Sequence, residues 1–250
     1  MITVEPQHLN LRPGQKVLDL GCGEGRHSIH LMITDEVDVY GFDLCFADVH
    51  TASERAEPFR APKHSRGRLQ LGVANGLQLP FADESFDVVI CSEVLEHIED
   101  YKLVLAEIDR VLKPSGIFAA TVPAFFPEWV CWRLSDEYHQ VEGGHVRIFR
   151  ERELRKSIED LGHRYFARHK AHALHAPYWW LKCLFWSKPD SRLVSAYHRL
   201  LVWDLMKKPA LTRGLEKLLN PLLGKSIALY FVKSSQQVQE PLALIEEVEA

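Results

Sequence analysis

The stretch Lys16–Ser28, K-V-L-D-L-G-C-G-E-G-R-H-S, limits what this chain can fold into more than any other. Val17 to Leu20 is a short apolar run of strand type carrying one acid, Asp19. Glycines follow at alternate positions, Gly21, Gly23 and Gly25, and a helical pattern then begins. A strand that passes through a glycine turn into a helix is a binding element. The missing Cβ atoms let a ligand approach the backbone, and the unpaired N–H groups of the first helical turn face a negative group. The spacing narrows this further. A dinucleotide-binding turn of Rossmann type needs G-x-G-x-x-G. Here the third glycine comes one residue early and Arg26 occupies the Rossmann glycine's place, which disfavours a nicotinamide oxidoreductase.

The remaining pattern alternates strand and helix, as in an α/β sheet. A helix is expected over about 25–33. A second strand, Val37–Phe42, ends at Asp43, about twenty residues past the glycine turn, and a helix follows over about 47–57. An acid at that strand end either binds ribose hydroxyls or caps the helix. Gly67–Val73 alternates like a third strand and leads into Asn75-Gly76-Leu77, a turn sequence. Ser85–Cys91 is nearly continuous in apolar residues, as in a central parallel strand buried on both faces. A helix over about 100–111, with Leu103, Val104, Ile108, Val111 and Leu112 inward, stops at Lys113-Pro114-Ser115-Gly116 before a fifth strand, Ile117–Val122. Glu128–Val141 is an aromatic helical pattern. A helix over about 150–161 with Gly162 as C-cap, a strand near 163–168 and a last strand, Ile227–Lys233, complete the set.

Four stretches together resemble the class I S-adenosylmethionine (SAM)-dependent methyltransferases, in particular the type 11 group related to ubiquinone and menaquinone biosynthesis. They are the [D/E]-x-G-x-G-x-G pattern at Asp19–Gly25, N-G-L-Q-L-P-F from Asn75, F-A-D-E-S-F-D-V-V-I-C-S-E-V-L-E-H-I-E-D from Phe81, and R-V-L-K-P-S-G-I-F from Arg110. The likeness runs almost without a gap to Pro123. It implies a single Rossmann-like α/β domain over residues 1–250. Its seven-stranded mixed sheet would have the order 3-2-1-4-5-7-6, with helices on both faces and a helical insertion at 171–225 before the last strand. It also implies SAM as cofactor, with S-adenosylhomocysteine as product. The implied contacts are Asp19, Gly21, Cys22, Gly23, Gly25, Asp43, Leu44, Asn75, Gly76, Leu77, Ser92 and Glu93. In the family an acid stands where this chain has Asn75. An Asn oxygen still accepts from an amino group but lacks the full negative charge.

Methyl transfer asks the protein for positioning and often for a base. His97, just past the fourth strand on the rim where ligands bind in open parallel sheets, is the first candidate. His145, in the Gly-Gly loop before the helix at 150–161, is the second. Glu93, Glu96 and His97 form E-x-x-E-H, with positions i, i+3 and i+4 on one helical face. This resembles a triplet tied to a divalent metal in ubiquinone-type O-methyltransferases, although two carboxylates and one imidazole are an incomplete set for a hard cation. His163, His169, His172 and His175 lack metal spacing and read as surface or packing residues.

The expected activity is O-methylation of a small-molecule, sugar or lipid-linked acceptor. The alternatives are C-methylation of quinone type and a SAM- or nucleotide-binding module without catalysis. The acceptor side is individual to this chain. Leu174–Trp186 holds five aromatics in thirteen residues, and residues 147–213 carry 15 Lys/Arg against 6 Asp/Glu, whereas residues 1–146 carry 12 against 23. The aromatics either pack the insertion onto the sheet or form a lid whose cations face an anionic acceptor. No nucleic-acid partner is expected; peripheral membrane contact is consistent with the basic segment. Five cysteines without a C-x-x-C pair, no leader-like apolar run near the start and no apolar stretch of membrane-spanning length give the expectation of a cytoplasmic protein with reduced thiols. Residues 236–250 read as a polar, then acidic tail.

Overall fold

The computed structural model describes residues 2–235 except residues 62, 142 and 189, so the acidic tail at 236–250 lies outside the described residues. Seven strands form one sheet: β1 (Lys16–Leu20), β2 (Asp38–Asp43), β3 (Arg68–Val73), β4 (Phe86–Ser92), β5 (Leu112–Pro123), β6 (His163–Ala171) and β7 (Ser226–Lys233). Their order is β3-β2-β1-β4-β5-β7-β6, with β1 to β5 parallel and β7 antiparallel to both its neighbours. This is the sheet the sequence implies. The strand order reverses between β1 and β4, so the carboxyl ends of these two strands open the crevice where parallel sheets bind ligands.

The helices α1 (Arg26–Thr34), α2 (Phe46–Ala56), α3 (Tyr101–Val111), α4 (Phe125–Leu134), α5 (Glu137–Gln140) and α6 (Glu151–Glu159) follow in chain order. Central β4 contributes to both hydrophobic layers. Val89 and Cys91 join Val104, Leu105, Ile108, Leu154 and Ile158 on one face, while Val88 and Ile90 join Leu31, Met32 and Val39 on the other. Burial on both faces is why β4 lacks alternation.

Three local expectations change. On α3, Leu103 is exposed and Leu105 takes the inward place, while Leu112 already belongs to β5. Lys113–Gly116 does not end an element before β5. It lies inside the strand as an irregularity, the β4 pairing jumping from Phe86↔Leu112 to Val88↔Ile117 with Ser115 at φ 63°. Asp160, not Gly162, caps α6; Gly162, at φ 87°, instead serves the turn into β6.

The segment between β6 and β7 is helical, as expected: α7 (Ala176–Leu184), α8 (Arg192–Lys207) and α9 (Ala210–Leu223). Polar bonds dock it. Trp180 Nε1–H donates to the Pro127 carbonyl on α4 at 3.0 Å, the Tyr197 hydroxyl to Leu174 O at 3.0 Å, and Ala173 N–H to Asn220 Oδ1 at 3.0 Å. Asp204, buried on α8, pairs with Arg213 on α9. No helix among the described residues is long and apolar enough to cross a membrane.

Candidate active site

β1 leaves the core at Leu20, and Gly21, Gly23 and Gly25 take left-handed φ values of 70°, 51° and 83°. Gly21 has a second reason to be glycine: a Cβ there would lie 2.1 Å from Val94 Cγ2, so the chain following β4 packs directly onto the turn. The turn is tied internally. Gly21 and Cys22 N–H both donate to Phe42 O at 2.7 and 3.1 Å, and Gly25 N–H to Cys22 O at 3.0 Å. The Cys22 thiol is buried, and burial raises its pKa, so this residue serves as backbone.

The negative group that the sequence places before the first turn of α1 is the chain's own Asp19. One carboxylate oxygen accepts Ser28 N–H at 3.0 Å and Ser28 Oγ–H at 2.5 Å. The other is buried without a donor, and burial lifts the Asp19 pKa to about 6 despite the Ser28 bonds and the nearby Arg26. Arg26, exposed at the start of α1, donates to Ser92 Oγ at 3.3 Å. An acid short of one donor and an exposed guanidinium therefore flank the turn. They suit the ammonium and carboxylate of an amino-acid group such as the methionine end of SAM.

Asp43 is not the cap of α2, which is Cys45. Its two oxygens accept Gly23 N–H at 2.8 Å and Cys45 N–H at 2.9 Å, joining the glycine turn to the β2 end and leaving lone pairs for further donors. Asn75 Oδ1 accepts Leu77 N–H at 3.0 Å, and Gln78 N–H reaches Asn75 O at 3.0 Å, so Asn75-Gly76-Leu77 forms the turn its composition suggests. Leu44 and Leu77, beyond adjacent strand ends, are exposed, as is Val73 beside Asp43 in the register. These apolar surfaces fit a flat base. An open groove of about 690 Å³ also runs along Gly21–Arg26, but it continues over α1 and α2 to Ile33, Arg55 and Phe59. It does not include Asp43, Asn75 or Ser92, so the crevice between β1 and β4 is the better cofactor location.

At the end of β4, Ser92 Oγ lies 2.9 Å from Thr121 Oγ1, whose hydrogen donates to Glu93 Oε1 at 2.9 Å. Glu93 sits at φ 58°, and Leu95–His97 is a single 3₁₀ turn. The one-face argument for Glu93, Glu96 and His97 therefore fails, because no α-helix carries them. At this rim the ligand atoms of Glu96, His97 and His145 come within 4.8 Å of one another, and Glu93 is not among them. Glu96 is buried with both oxygens unpartnered; burial, with Glu93 beside it, pushes its pKa well above the carboxylate range.

The two candidate bases meet. The His97 and His145 ring centroids are 4.8 Å apart. His97 Nδ1 lies 2.8 Å from Gly143 O, an arrangement that makes Nδ1 the donor and leaves Nε2 as acceptor. Desolvation, with His145 alongside, lowers the His97 pKa. His145 Nδ1 lies 2.5 Å from the Oε1 of Glu128, a buried carboxylate that also accepts Trp132 Nε1–H at 3.0 Å and the Tyr138 hydroxyl at 3.2 Å. Sequence reading missed Glu128. The available signal was one acid inside the otherwise apolar F-F-P-E-W-V-C-W of α4.

The insertion reaches this group through Tyr138, whose ring centroid is 5.8 Å from His145, 6.0 Å from Trp179 and 6.3 Å from Trp186. Tyr178 and Trp186 line a second cavity of about 630 Å³ between α7 and α8, which includes neither Ser92 nor His97. The other histidines pack: His163 is buried against Asp109 at 2.9 Å, and His169 Nε2 lies 3.0 Å from Thr3 O. His172 and His175, with pKa values lowered to about 3 and 4 mainly by burial, come together with Glu216 on α9, a grouping the sequence does not reveal.

Comparison with known proteins agrees with this geometry. The family described as "Methyltransferase domain" matches residues 18–120. A 27-O-demethylrifamycin SV methyltransferase of Amycolatopsis mediterranei is 36% identical over 111 residues, 44% of this chain and 39% of that protein. A demethylmenaquinone methyltransferase of Lysinibacillus sphaericus is 30% identical over 113 residues, 44% of this chain and 45% of that one. The chain thus spans less than half the length of these curated relatives. Among solved structures, a SAM-dependent methyltransferase of Methanosarcina mazei superposes with a TM-score of 0.61 at 17% identity, over 94% of this chain and all of the other. The [4+2]-cyclase SpnF does so at 0.60 and 16% identity, over 92% and 78%, so these likenesses establish the fold alone. The family match over the glycine turn and β4, together with the sheet order 3-2-1-4-5-7-6, supports a class I SAM-dependent methyltransferase domain, its matched part being residues 18–120.

Proposed function

We propose that this protein transfers a methyl group from SAM to an oxygen of a small-molecule, sugar or lipid-linked acceptor, with His145 as the general base. SAM, when bound, supplies an electrophilic methyl on its sulfonium. Asp19 and Arg26 would hold its amino-acid end, Asp43 its ribose hydroxyls, and Leu44, Asn75 and Leu77 its adenine. The observation that carries the catalytic part is the bond between His145 Nδ1 and buried Glu128. A carboxylate behind the ring fixes Nδ1 as the protonated nitrogen, leaves Nε2 to take the acceptor's proton, and stabilises the imidazolium that results. His97 borders the same space and is the neighbouring candidate. C-methylation remains the alternative, since the relatives include a sterol 24-C-methyltransferase of Pneumocystis carinii, 28% identical over 151 residues. Transfer to carbon also ends with the loss of a proton to a base, so the position of the new methyl group in the product distinguishes the two readings. A binding module without catalysis would leave the dyad idle.

Calorimetry tests the cofactor assignment. SAM and S-adenosylhomocysteine should bind and NAD should not; binding of NAD alone overturns the reading. The pH dependence follows from Asp19. Its pKa is raised to about 6 in the free protein, so below that value the carboxyl is protonated and must lose its proton to meet an ammonium. Affinity should therefore rise with pH, by up to about tenfold per unit, until about pH 6 and flatten above it. Asp19→Asn should abolish this slope. A slope of equal size in the variant removes Asp19 from the cofactor site.

The unpartnered Glu96 carboxyl beside His97 and His145 favours a second reading, in which a divalent cation bound by these three assists the acceptor. Chelator should then abolish turnover and added Mg²⁺ restore it; full turnover in chelator ends this reading.

A further inference from the structure

We propose that the outer face of α9 is a docking surface for an anionic lipid bilayer. Leu211, Leu215, Leu218 and Leu222 follow a 4-3-4 spacing, which places them within a narrow arc of one helical face. They are 82%, 43%, 73% and 71% exposed. The opposite face does the packing: Asn220 accepts the Ala173 N–H, and the Glu216 side chain, 13% exposed, is turned inward. The stripe is therefore not the core-facing side of an amphipathic helix. The helix docks through a mixed face, Glu216 and Asn220 with the partly buried Leu219 and Leu223, and leaves a separate leucine row outside.

Charge identifies the occupant. Lys207 and Lys208 precede α9, Lys217 flanks the stripe, and among the described residues none of the three is in an ion pair. The preceding helix repeats the arrangement. Tyr197, Leu201 and Asp204 face inward on α8, and about half a turn away lie Arg192, Arg199, Val202, Trp203 and Met206, the last 74% exposed. Between α7 and α8 the cavity of about 630 Å³ is lined by Tyr178, Phe185 and Trp186 with Lys182, Lys188 and Arg199, a combination suited to a phosphate on an apolar body. A leucine row with lysines at its margins, next to aromatics and arginine, is the composition of an interfacial helix. The apolar side chains enter the headgroup boundary and the cations stay at the anionic surface. A protein partner matched to the leucines alone would leave these cations without a role.

The test is sedimentation of the full chain with phosphatidylcholine vesicles, with and without about 30% phosphatidylglycerol, at about 0.05 and about 0.5 M salt. The expected result is binding to the anionic vesicles that weakens at the higher salt. The triple variant L211S/L218S/L222S changes only exposed side chains and should keep the native unfolding midpoint, while its partition coefficient falls by about 10²-fold or more. Lys207→Glu with Lys217→Glu should remove the preference for phosphatidylglycerol. No binding of the native chain to anionic vesicles, or equal binding by the serine variant, overturns the proposal. So does a dimer of the native chain that the serine variant loses without any vesicle binding, since the stripe would then pair with a second copy. Vesicle binding needs no cofactor, so its failure leaves the methyl-transfer reading standing.

Discussion

Replacing His145 by alanine is expected to lower turnover by about 10²–10⁴-fold while SAM affinity stays at the native value. The range is what a positioned base contributes in the transition state. Among the described residues no hydrogen bond or ring contact joins His145 to the glycine turn; its neighbours include Glu128, Tyr138, His97 and Glu96. Folding should survive, because Glu128 keeps the Trp132 and Tyr138 donors when the imidazole is removed. Glu128→Gln serves as a companion. It preserves shape but cannot offset the charge of an imidazolium, so kcat should fall with KM little changed. His97→Ala separates the two rings. If His145 is the base, the His97 variant loses less; if the larger loss follows His97, the roles are exchanged. Native turnover in the His145 variant, or parallel loss of SAM binding, would defeat the assignment.

Gly21→Ala should destabilise the fold by about 2–4 kcal/mol and abolish measurable SAM binding. Two costs act together. The residue sits at φ 70°, where an added Cβ is strained, and that Cβ would lie 2.1 Å from Val94 Cγ2. The Gly21 N–H bond to Phe42 O ties the turn to β2, so a backbone shift to relieve the contact would also disturb the Asp43 end. Denaturant unfolding reads the stability and calorimetry the binding. Adding Val94→Ala should recover part of the loss, because the contact at 2.1 Å disappears, while the cost of the positive φ persists. A Gly21→Ala protein of native stability would show that the turn does not have this conformation. Gly23 is the control: a Cβ there meets nothing within 4 Å, so only its φ of 51° penalises alanine.

The fold was legible in the sequence as far as local chemistry writes it. The glycine turn, the apolar run of β4 and the periodic α3 each carry their signal within a dozen residues, and the implied sheet order is the one observed. Boundaries moved where a local stop signal yielded to strand pairing. Lys113–Gly116 has the composition of a terminator, yet ladder bonds on both sides of it keep it inside β5. The α9 stripe was written in the sequence too, but a leucine row at helical spacing ordinarily marks a buried face, and only tertiary docking through Asn220 and Glu216 shows it pointing outward.

The site divides along the same line. Asp19, the glycines, Asp43 and Ser92 lie in the last residues of strands or just past them, and parallel strands deliver their ends to one rim, so a linear pattern locates them. The proposed catalytic pair does not follow from any such pattern. Glu128 and His145 are 17 residues apart, on α4 and in the loop before α6. Glu93 lies only four residues from His97, yet its positive φ and its bond from Thr121 turn it away from the group that Glu96, His97 and His145 form. By itself the sequence carried the glycine turn and the methyltransferase resemblance, and through that resemblance the order of the sheet. Tertiary structure decided which acid stands behind which imidazole and which helix face stays uncovered, because both depend on contacts between segments distant in the chain, whereas a sequence pattern records the conformation of one segment at a time.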